Sequence, residues 1–487
     1  MSGVDVVLVK PGSQKQLYGE LSVFKLTGME PPLWAALLAA HLRSVGRSVV
    51  IFDAEAENWS YEETAQKIME LHPILVAVVV SGTNPSASTM NMTGAGAVAH
   101  HLKRLAPEIK IILMGLHPSA LPGRTLAEEA VDFVCEGEGI YTLPKLTDAL
   151  KSMQGFSRIE GLWLRENGKI VSNPRAPLVK NLDELPMPAW DLLPMAKYRA
   201  HNWHCFANLD DRQPYAVIYT SLGCPFRCSF CCVNALFGQP GIRYRSPELV
   251  IEEIDYLVRN HGIRNIKILD EMFVLKESHV HRLCDLITER GYHLNMWAYA
   301  RVNTVDEAVL GRMKQAGINW VAYGFESGSD EVLQKISKGC DVQTVDSVVR
   351  MTRNAGNYIV ANFIFGLPDD DLASMQETRD LAMRINAEWT NFYCAMAYPG
   401  SLLYERAIKE GWPLPETWQG YSQYAYETLP LPTERLSASD VLRFRDRTFH
   451  AYYSNPQYLD MISRKFGPRV ADHVREMASH KLVRKYE

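Results

Sequence analysis

The sequence lacks the features that mark membrane, secreted and nucleic-acid-binding proteins. Its longest purely aliphatic run, residues 74–80, is too short to span a bilayer. The N-terminus has no basic region followed by an apolar stretch and a cleavage site. The 51 Lys and Arg against 56 Asp and Glu leave a net charge of −5 with no block of like charges, which argues against a nucleic-acid-binding protein held by phosphate contacts. We expect a cytoplasmic protein with no membrane span and no nucleic-acid partner.

The nine cysteines lack the pattern of a disulfide framework. Their number is odd, and four of them fall within residues 224–232 while the others are scattered. In a cytosolic chain, such a cluster more often holds a metal or does redox work. Otherwise the composition is ordinary, with 47% hydrophobic and 22% charged residues, and a length of 487 residues predicts about three domains.

Residues 1–150 alternate short aliphatic runs with amphipathic segments, which predicts a doubly wound (Rossmann-like) α/β domain. Such a sheet binds ligands at the carboxyl ends of its strands, where this sequence places loops rich in Gly, Ser, Thr and Pro. The predicted strands are 6–9, 48–52, 75–80, 109–114 and 131–134, and two of the predicted crossover helices are 34–45 and 97–105.

A linker, residues 151–200, precedes a second α/β series at residues 201–400. Six βα units predict a partial (β/α)6 barrel with its active site at the strand carboxyl ends. Residues 401–487 form a mostly helical, aromatic-rich cap whose rings either line a pocket or pack the helices. The predicted strands are 216–219, 266–269, 294–298, 320–323, 360–365 and 388–397, and the helices include 247–260, 305–315 and 342–354.

Cys224, Cys228 and Cys231 follow the first barrel strand in the sequence YTSLGCPFRCSFCC. Three thiolates on one loop can hold three irons of a four-iron cluster and leave the fourth iron open to a ligand. The alternative is a structural zinc site, which needs a fourth protein ligand. The residues considered for that position are His201, His204 and Cys232.

The motif CPFRCSFC, placed after the first strand of a six-unit barrel, resembles the radical S-adenosylmethionine (SAM) superfamily. The resemblance implies that Cys224, Cys228 and Cys231 bind a [4Fe-4S] cluster whose open iron chelates SAM. It also implies an electron donor such as flavodoxin or ferredoxin. The cluster would cleave SAM to a 5′-deoxyadenosyl radical that abstracts hydrogen from a small-molecule substrate.

Further positions along the barrel match those at which this superfamily contacts SAM. The alternative interpretations are helix-start residues or loop solvation for the adjacent carboxylates of ILDEMF, and a surface ion pair for the arginine of YARVNT. The matching residues are Phe230, Asp270, Glu271, Arg301, Glu326, Ser327, Phe363 and Phe365.

The N-terminal domain resembles the cobalamin-binding domain fused ahead of many radical SAM enzymes, on residues 31–53 and on GLHPSALP and FVCEGEG within 113–139. The D-x-H-x-x-G motif is absent, as is usual in the fused branch, and some members work without cobalamin. The resemblance implies a cobalamin site at the strand ends. Its residues would be Ser81, Thr83, Asn84, Ser86, Ser88, Thr89, Gly115, His117, Glu136 and Gly137.

The leading hypothesis is cobalamin-dependent methylation of an unactivated carbon. A second hypothesis keeps the radical but ends in dehydration, as in the diol-dehydratase branch, or in cyclisation or oxidation. A protein proton donor would then matter, and Cys394 is one candidate for it. A third hypothesis is a cobalamin carrier or sensor with a structural iron or zinc site.

Overall fold

The first domain is built on a seven-stranded sheet. The computed structural model describes residues 3–13, 17–18, 26–82 and 88–486. In the sheet order β2-β1-β3-β4-β5-β6-β7, the first five strands are parallel, and β6 and β7 are antiparallel additions. The strands are β1 (Val6–Lys10), β2 (Val49–Asp53), β3 (Leu75–Val80), β4 (Ile111–Gly115), β5 (Phe133–Cys135), β6 (Leu162–Glu166) and β7 (Lys169–Ser172).

Helices cover both faces of this sheet. Val6 and Leu8 belong to one apolar core while Val7 and Val9 belong to another, as alternating side chains of a strand buried on both faces do. The predicted doubly wound fold is confirmed. The helices are α1 (Leu33–Ser44), α2 (Ala54–Glu57), α3 (Tyr61–Glu70), α4 (Ser88–Leu105), α5 (Leu116–Ala120), α6 (Pro122–Glu128) and α7 (Thr142–Ser152).

Helix α4 is longer than the predicted segment 97–105, because it begins at Ser88. Its first half contains two glycines, which lower helix propensity and hid it from the pattern. Packing explains their presence. A Cβ on Gly94 would lie 2.3 Å from the Ser13 Oγ, so only glycine lets the helix approach the loop after β1 this closely.

The hairpin β6–β7 lies in the region for which we predicted a linker. Its turn is Asn167-Gly168, and both residues have positive φ, of 52° and 76°. An Asn-Gly pair with this backbone is a common two-residue hairpin turn, so the sequence did carry a signal for the hairpin. Leu162 and Leu164 are buried on one face of β6, which extends the first sheet.

The second sheet has six parallel strands in the order β15-β14-β13-β12-β11-β8. Each corresponds to a predicted barrel strand, and the open order gives the partial barrel that we expected. A separate two-stranded ribbon, β9–β10, follows the first barrel strand. The strands are β8 (Tyr215–Ile218), β9 (Ser221–Leu222), β10 (Arg243–Tyr244), β11 (Asn265–Ile268), β12 (Asn295–Ala300), β13 (Ile318–Glu326), β14 (Tyr358–Phe365) and β15 (Trp389–Cys394).

Helices cover the outside of the barrel and build the cap. In the cap, Tyr452, Tyr453 and Tyr458 are buried, and their hydroxyls donate to backbone oxygens at residues 387–390. These three rings therefore pack the cap rather than line a pocket. The helices are α8 (Asn234–Phe237), α9 (Pro247–His261), α10 (Glu277–Glu289), α11 (Glu307–Gln315), α12 (Asp330–Lys335), α13 (Val342–Asn354), α14 (Leu372–Ile385), α15 (Leu402–Glu410), α16 (Ala438–Tyr453), α17 (Pro456–Phe466) and α18 (Pro468–Ser479).

The amino end of the barrel is closed by aromatic side chains. Trp203 lies with its ring 5.2 Å from that of Trp297, 5.3 Å from Trp320 and 6.3 Å from Trp389, so it contacts three strands at once. The open space of the barrel is therefore at the carboxyl ends of its strands.

Candidate active site

The cysteine loop lies at the carboxyl end of β8, between the two strands of the β9–β10 ribbon. Cys224, Cys228 and Cys231 are half-buried, whereas Cys232 is fully buried. The loop is held by its own backbone, since the Cys231 amide donates to the Cys228 carbonyl at 3.1 Å and the Gly241 amide donates to the Cys224 carbonyl at 3.1 Å. The three predicted thiols thus share one loop at the barrel mouth.

Two carboxylates anchor the start of this loop. Asp270 accepts hydrogen bonds from the Thr220 amide at 2.7 Å and from the Ser221 hydroxyl at 2.7 Å. Glu271 accepts from the Gly223 amide at 3.1 Å, and burial raises its pKa to about 7. Both carboxylate oxygens of Asp270 accept hydrogen bonds from Thr220 and Ser221, so Asp270 holds the start of the cysteine loop in place. Glu271 bonds the residue next to Cys224 and is therefore the carboxyl nearer to the cysteines.

The three thiols lie close enough together to affect one another. Burial raises the pKa of Cys231 to about 12, and Cys228 and Cys224 add to the rise. Burial also raises the pKa of Cys224, and a nearby cation offsets part of the rise at each thiol, Lys338 at Cys231 and Arg301 at Cys224. Free thiols on one loop, with cations beside them, fit the soft thiolate ligation of an iron–sulfur cluster.

The histidines proposed as zinc ligands lie elsewhere. His204 is buried at the amino end of the barrel, where its ring bonds the Asn295 carbonyl at 3.0 Å. His201 accepts from the Gly28 amide at 3.1 Å. Among the described residues, no three His, Cys, Asp or Glu side chains converge as ligands of one ion. A four-iron cluster does not require three side chains to meet at one ion, since each thiolate binds a different iron.

Arg301 is buried beside the cysteine loop, at 5% exposure. Its Nη1 lies 3.4 Å from the Cys228 Sγ, and its guanidinium stacks on the Phe226 ring at 3.9 Å. Its Nη2 donates to the Lys338 carbonyl. Arg301 is therefore not the surface ion pair that was the alternative interpretation.

Glu326 occupies an irregular end of β13. The pairing register with β14 shifts between Gly324 and Glu326, and Glu326 has a φ of +65°. A non-glycine residue in this region is strained, and such strain concentrates at functional sites. The carboxylate pairs with the buried Lys338 at 2.5 Å. Ser327 turns the other way, and its hydroxyl lies 3.2 Å from that of Thr378.

The predicted phenylalanines separate into two groups. Phe230 packs near Ile364 on the inner side of β14. Phe363 and Phe365 are fully buried on the opposite side, where they stack on Phe392 at 6.0 and 5.8 Å. Neighbouring strand residues point to opposite faces, so Ile364, and not the two phenylalanines, faces the site.

Tyrosines that the motif analysis missed face the open part of the barrel. Tyr299 and Tyr393 are half-buried and share the face of Trp297 and Trp389 on their strands. In the described part of the chain, neither hydroxyl has a hydrogen-bond partner. Tyr393 lies within the predicted strand 388–397, whereas Tyr299 lies one residue beyond the predicted strand 294–298, and only the structure shows which face of each strand is the inner one.

Residues at the carboxyl ends of the two sheets line one shared cleft between the first domain and the barrel. The first domain contributes residues that follow β1, β2 and β3, and the barrel contributes residues that follow β8 and β11. Tyr18 also lines the cleft, with its ring 5.4 Å from that of Tyr424 of the cap. The contributing residues include Lys10, Glu55, Ser81, Tyr219 and Leu269.

Five of the predicted cobalamin residues, Ser88, Thr89, Gly115, His117 and Gly137, take part in a hydrogen-bonded network at the ends of β3, β4 and β5. The Ser88 hydroxyl donates to the Val80 carbonyl at 2.9 Å and accepts from the His117 amide at 3.1 Å. The His117 ring bonds the Thr89 hydroxyl at 3.1 Å. The Ser119 hydroxyl joins the ends of β4 and β5, because it donates to the Gly115 carbonyl and accepts from the Gly137 amide.

The remaining predicted residues have different positions. Ser81 lines the shared cleft, whereas the Glu136 carboxylate pairs with Arg175 at 2.8 Å and accepts from the Trp163 indole. Glu136 therefore fastens the hairpin β6–β7 rather than facing the strand ends. Thr83, Asn84 and Ser86 lie outside the described residues.

His117 is a buried base with one open ring nitrogen. Burial lowers its pKa to about 3, so the ring is neutral, and its Nε2 has no partner among the described residues. Trp418 of the cap packs against this ring at 4.6 Å, and its indole donates to Glu129 at 3.1 Å. A buried ring nitrogen with no hydrogen-bond partner among the described residues, the Nε2 of His117, fits a polar ligand bound at the strand ends.

Comparison with known proteins identifies the two domains. The model of the radical SAM superfamily matches residues 218–382, and that of the B12 binding domain matches residues 20–147. The uncharacterized methyltransferase PH0819 of Pyrococcus horikoshii is 31% identical over 460 residues, which cover 94% of each chain. The chain belongs to the B12-binding radical SAM family. As a radical SAM enzyme it uses a [4Fe-4S] cluster and SAM, and its first domain is the site for cobalamin.

Two further comparisons extend the likeness. The anaerobic magnesium-protoporphyrin IX monomethyl ester cyclase of Rubrivivax gelatinosus is 25% identical over 389 residues, 78% of this chain and 67% of that protein. The radical SAM methyltransferase TsrM of Kitasatospora setae, solved with cobalamin and a [4Fe-4S] cluster bound, has the same fold, with a TM-score of 0.68 at 16% identity. That match covers 99% of this radical SAM chain and 100% of TsrM.

Two further predictions concern the membrane and the proton donor. Within the described ranges, no helix of this radical SAM enzyme is long and apolar enough to cross a membrane.

Cys394 lies at the end of β15, where it is 2% exposed, and burial raises the pKa of its thiol to about 12. Its backbone amide and carbonyl both bond the Gln423 side chain, which covers it.

Proposed function

We propose that this protein is a cobalamin-dependent radical SAM methyltransferase that methylates an unactivated carbon of a small molecule. The observation that carries the proposal is the cleft shared by the carboxyl ends of both sheets. Parallel sheets bind their ligands at these ends, so a ligand of the first domain and a ligand of the barrel meet in one space.

The chain supplies binding groups and exclusion of water. Cys224, Cys228 and Cys231 would hold the cluster, while Ser88 and His117 lie where the first domain would hold cobalamin. When bound, the cluster supplies the electron that cleaves SAM, and cobalamin supplies the methyl group. The chain must hold the substrate carbon in line with both, a positioning task that needs no acid or base.

Tyr299 and Tyr393 are the groups best placed to orient the substrate. Burial raises the pKa of Tyr393 far above its ordinary value, and Tyr424, Tyr299 and Tyr18 nearby add to the rise. These hydroxyls therefore stay protonated and offer O–H donors beside aromatic faces. A low-potential protein such as flavodoxin or ferredoxin would supply the electron, in the cytoplasm.

The test is anaerobic reconstitution of the full chain with iron, sulfide and cobalamin. We expect equimolar cobalt to remain bound after gel filtration. With reductant, methyl-labelled SAM and a small-molecule extract of the host cells, we expect S-adenosylhomocysteine and 5′-deoxyadenosine in comparable amounts and a labelled product. If the chain never retains cobalt, methyl transfer from cobalamin is wrong.

A second function is favoured by the cyclase among the relatives, which is 25% identical. Radical cyclisation or dehydration would use the same cluster but transfer no methyl group. Glu271, with a pKa of about 7, is then a better placed proton donor than Cys394, which lies behind β15. In that case 5′-deoxyadenosine forms without S-adenosylhomocysteine, and the label does not enter the product.

A further inference from the structure

We infer that Arg301 is a positioning residue for the [4Fe-4S] cluster, which it serves by donating a charged hydrogen bond to the Cys228 sulfur and thereby raising the cluster's reduction potential. The inference rests on the cluster of the proposed function but not on methyl transfer. It replaces the expectation that Arg301 contacts SAM.

The guanidinium is fixed from several sides. Nη1 contacts the Cys228 Sγ at 3.4 Å, and Nη2 donates to the Lys338 carbonyl. Nε lies 3.4 Å from the Asn303 Oδ1, and the guanidinium plane covers the Phe226 ring at 3.9 Å. Sulfur accepts hydrogen bonds at longer distances than oxygen, so 3.4 Å is a real contact. To reach another ligand with both Nη groups, the side chain would have to break these bonds.

The charge of Arg301 also needs a partner. It is 5% exposed, and buried charges are paired because desolvation is costly. In the described part of the chain, no carboxylate lies within the 4.0 Å that defines its ion pairs, whereas the neighbouring Lys338 pairs with Glu326. The partner that remains is the thiolate of the cysteine loop.

The consequence for the cluster follows from charge. Reduction adds one electron to the cluster, and its thiolate sulfurs share the added negative charge. A cation and an N–H donor beside one sulfur stabilise the reduced form more than the oxidised form, and hydrogen bonds to sulfur are an established control of cluster potential. Removing them therefore makes the cluster harder to reduce.

The experiment uses three variants of the full, cluster-loaded chain. Arg301→Lys keeps the charge, Arg301→Gln keeps an N–H donor, and Arg301→Met removes both. The midpoint potential of the cluster is followed by electron paramagnetic resonance in a redox titration without SAM and without cobalamin. Arg353→Gln is the matched control, since Arg353 donates to the Ile385 and Asn386 carbonyls on the helical side of the barrel.

We expect the ratio of reduced to oxidised cluster at a fixed solution potential to fall at least tenfold in Arg301→Met, which is a shift of 59 mV for one electron. Arg301→Lys and Arg301→Gln should lie between it and the wild type, and Arg353→Gln should not shift. If Arg301→Met does not assemble a cluster, the potentials of Arg301→Gln and Arg301→Lys are compared with the wild type instead, and a lower potential in both supports the inference.

Unshifted potentials in the variants that hold a cluster overturn the inference. Affinity for SAM separates the two roles. If Arg301→Gln binds SAM tenfold or more weakly while its potential without SAM is unchanged, Arg301 contacts SAM, as the sequence predicted. Because the titration contains no cobalamin and no substrate, its failure is independent of whether the enzyme transfers methyl groups.

Discussion

Gly115, at the end of β4, offers a sharp test of how the first domain builds its ligand edge. Its backbone has a φ of 122° and a ψ of −169°, a region that is essentially restricted to glycine. A Cβ at this position would lie 2.2 Å from the Val80 carbonyl oxygen of the neighbouring strand. Gly115→Ala should therefore suffer both backbone strain and a clash that only a shift of β3 against β4 can relieve.

The expected cost can be divided into two parts. Holding a non-glycine residue in this backbone region costs about 1–3 kcal/mol. Forcing an extra atom against a packed strand costs roughly another 1–3 kcal/mol. The matched control is Gly46→Ala, because Gly46 has a φ of +77° but nothing within 4 Å of a Cβ. That variant should lose only the strain, about 1–2 kcal/mol.

The assay is urea unfolding of the two variants and the wild type, followed by circular dichroism. Gly115→Ala should lower the free energy of unfolding by more than Gly46→Ala, and after reconstitution it should retain less cobalamin. The cobalamin loss follows because the Ser88 hydroxyl bonds the same Val80 carbonyl that must move. Equal losses of stability in the two alanine variants would refute the steric argument, and full cobalamin retention would refute the link to the ligand edge.

Three further predictions concern the barrel. Asp270→Asn leaves a buried hydroxyl or amide of the cysteine loop unpaired, so it should cost about 1–3 kcal/mol and lower the iron content of reconstituted enzyme. Burial raises the pKa of Asp370 from 3.8 to about 6, so the stability conferred by its neutral form is complete below pH 3.8 and is lost as pH rises through 6. Asp370→Asn should flatten this decline, measured as Tm from pH 4 to pH 8. Tyr299→Phe should change the free energy of unfolding by less than about 0.5 kcal/mol while lowering turnover. The control is Tyr453→Phe. The Tyr453 hydroxyl donates to the Thr390 carbonyl at 2.6 Å, so its loss should destabilise the cap by about 1 kcal/mol.

The sequence predicted the architecture well because hydrophobic alternation and motif spacing are local signals. The strand at 75–80 and the helix at 342–354 end where they were predicted to end. Side-chain partners are not local. Arg301 stands where a guanidinium was expected, but its contact with Cys228 joins residues 73 positions apart, which no pattern within the strand reveals.

The alternation of side chains along a strand explains which of the predicted residues on β14 face the inside of the barrel and which do not. Phe363 and Phe365 were chosen for their chemistry, although both share one face of β14, and the structure buries that face under the cap. Asn362 and Ile364 have the opposite parity, and the Asn362 oxygen accepts from the Asn391 amide across the strands at 2.9 Å. Parity could have been read from the sequence, but the choice of inner face required the structure.

Tyr299 and Tyr393 lie between the tryptophans at the amino end of the barrel and the cysteine loop at its carboxyl end. Below them, the Trp203 and Trp297 rings pack together near the amino end of the barrel, and Lys267 is buried against Glu30. Above them lie the cysteine loop and the first domain. We therefore expect a substrate to reach Tyr299 and Tyr393 from the carboxyl end, where the rings of Tyr18 and Tyr424 lie 5.4 Å apart.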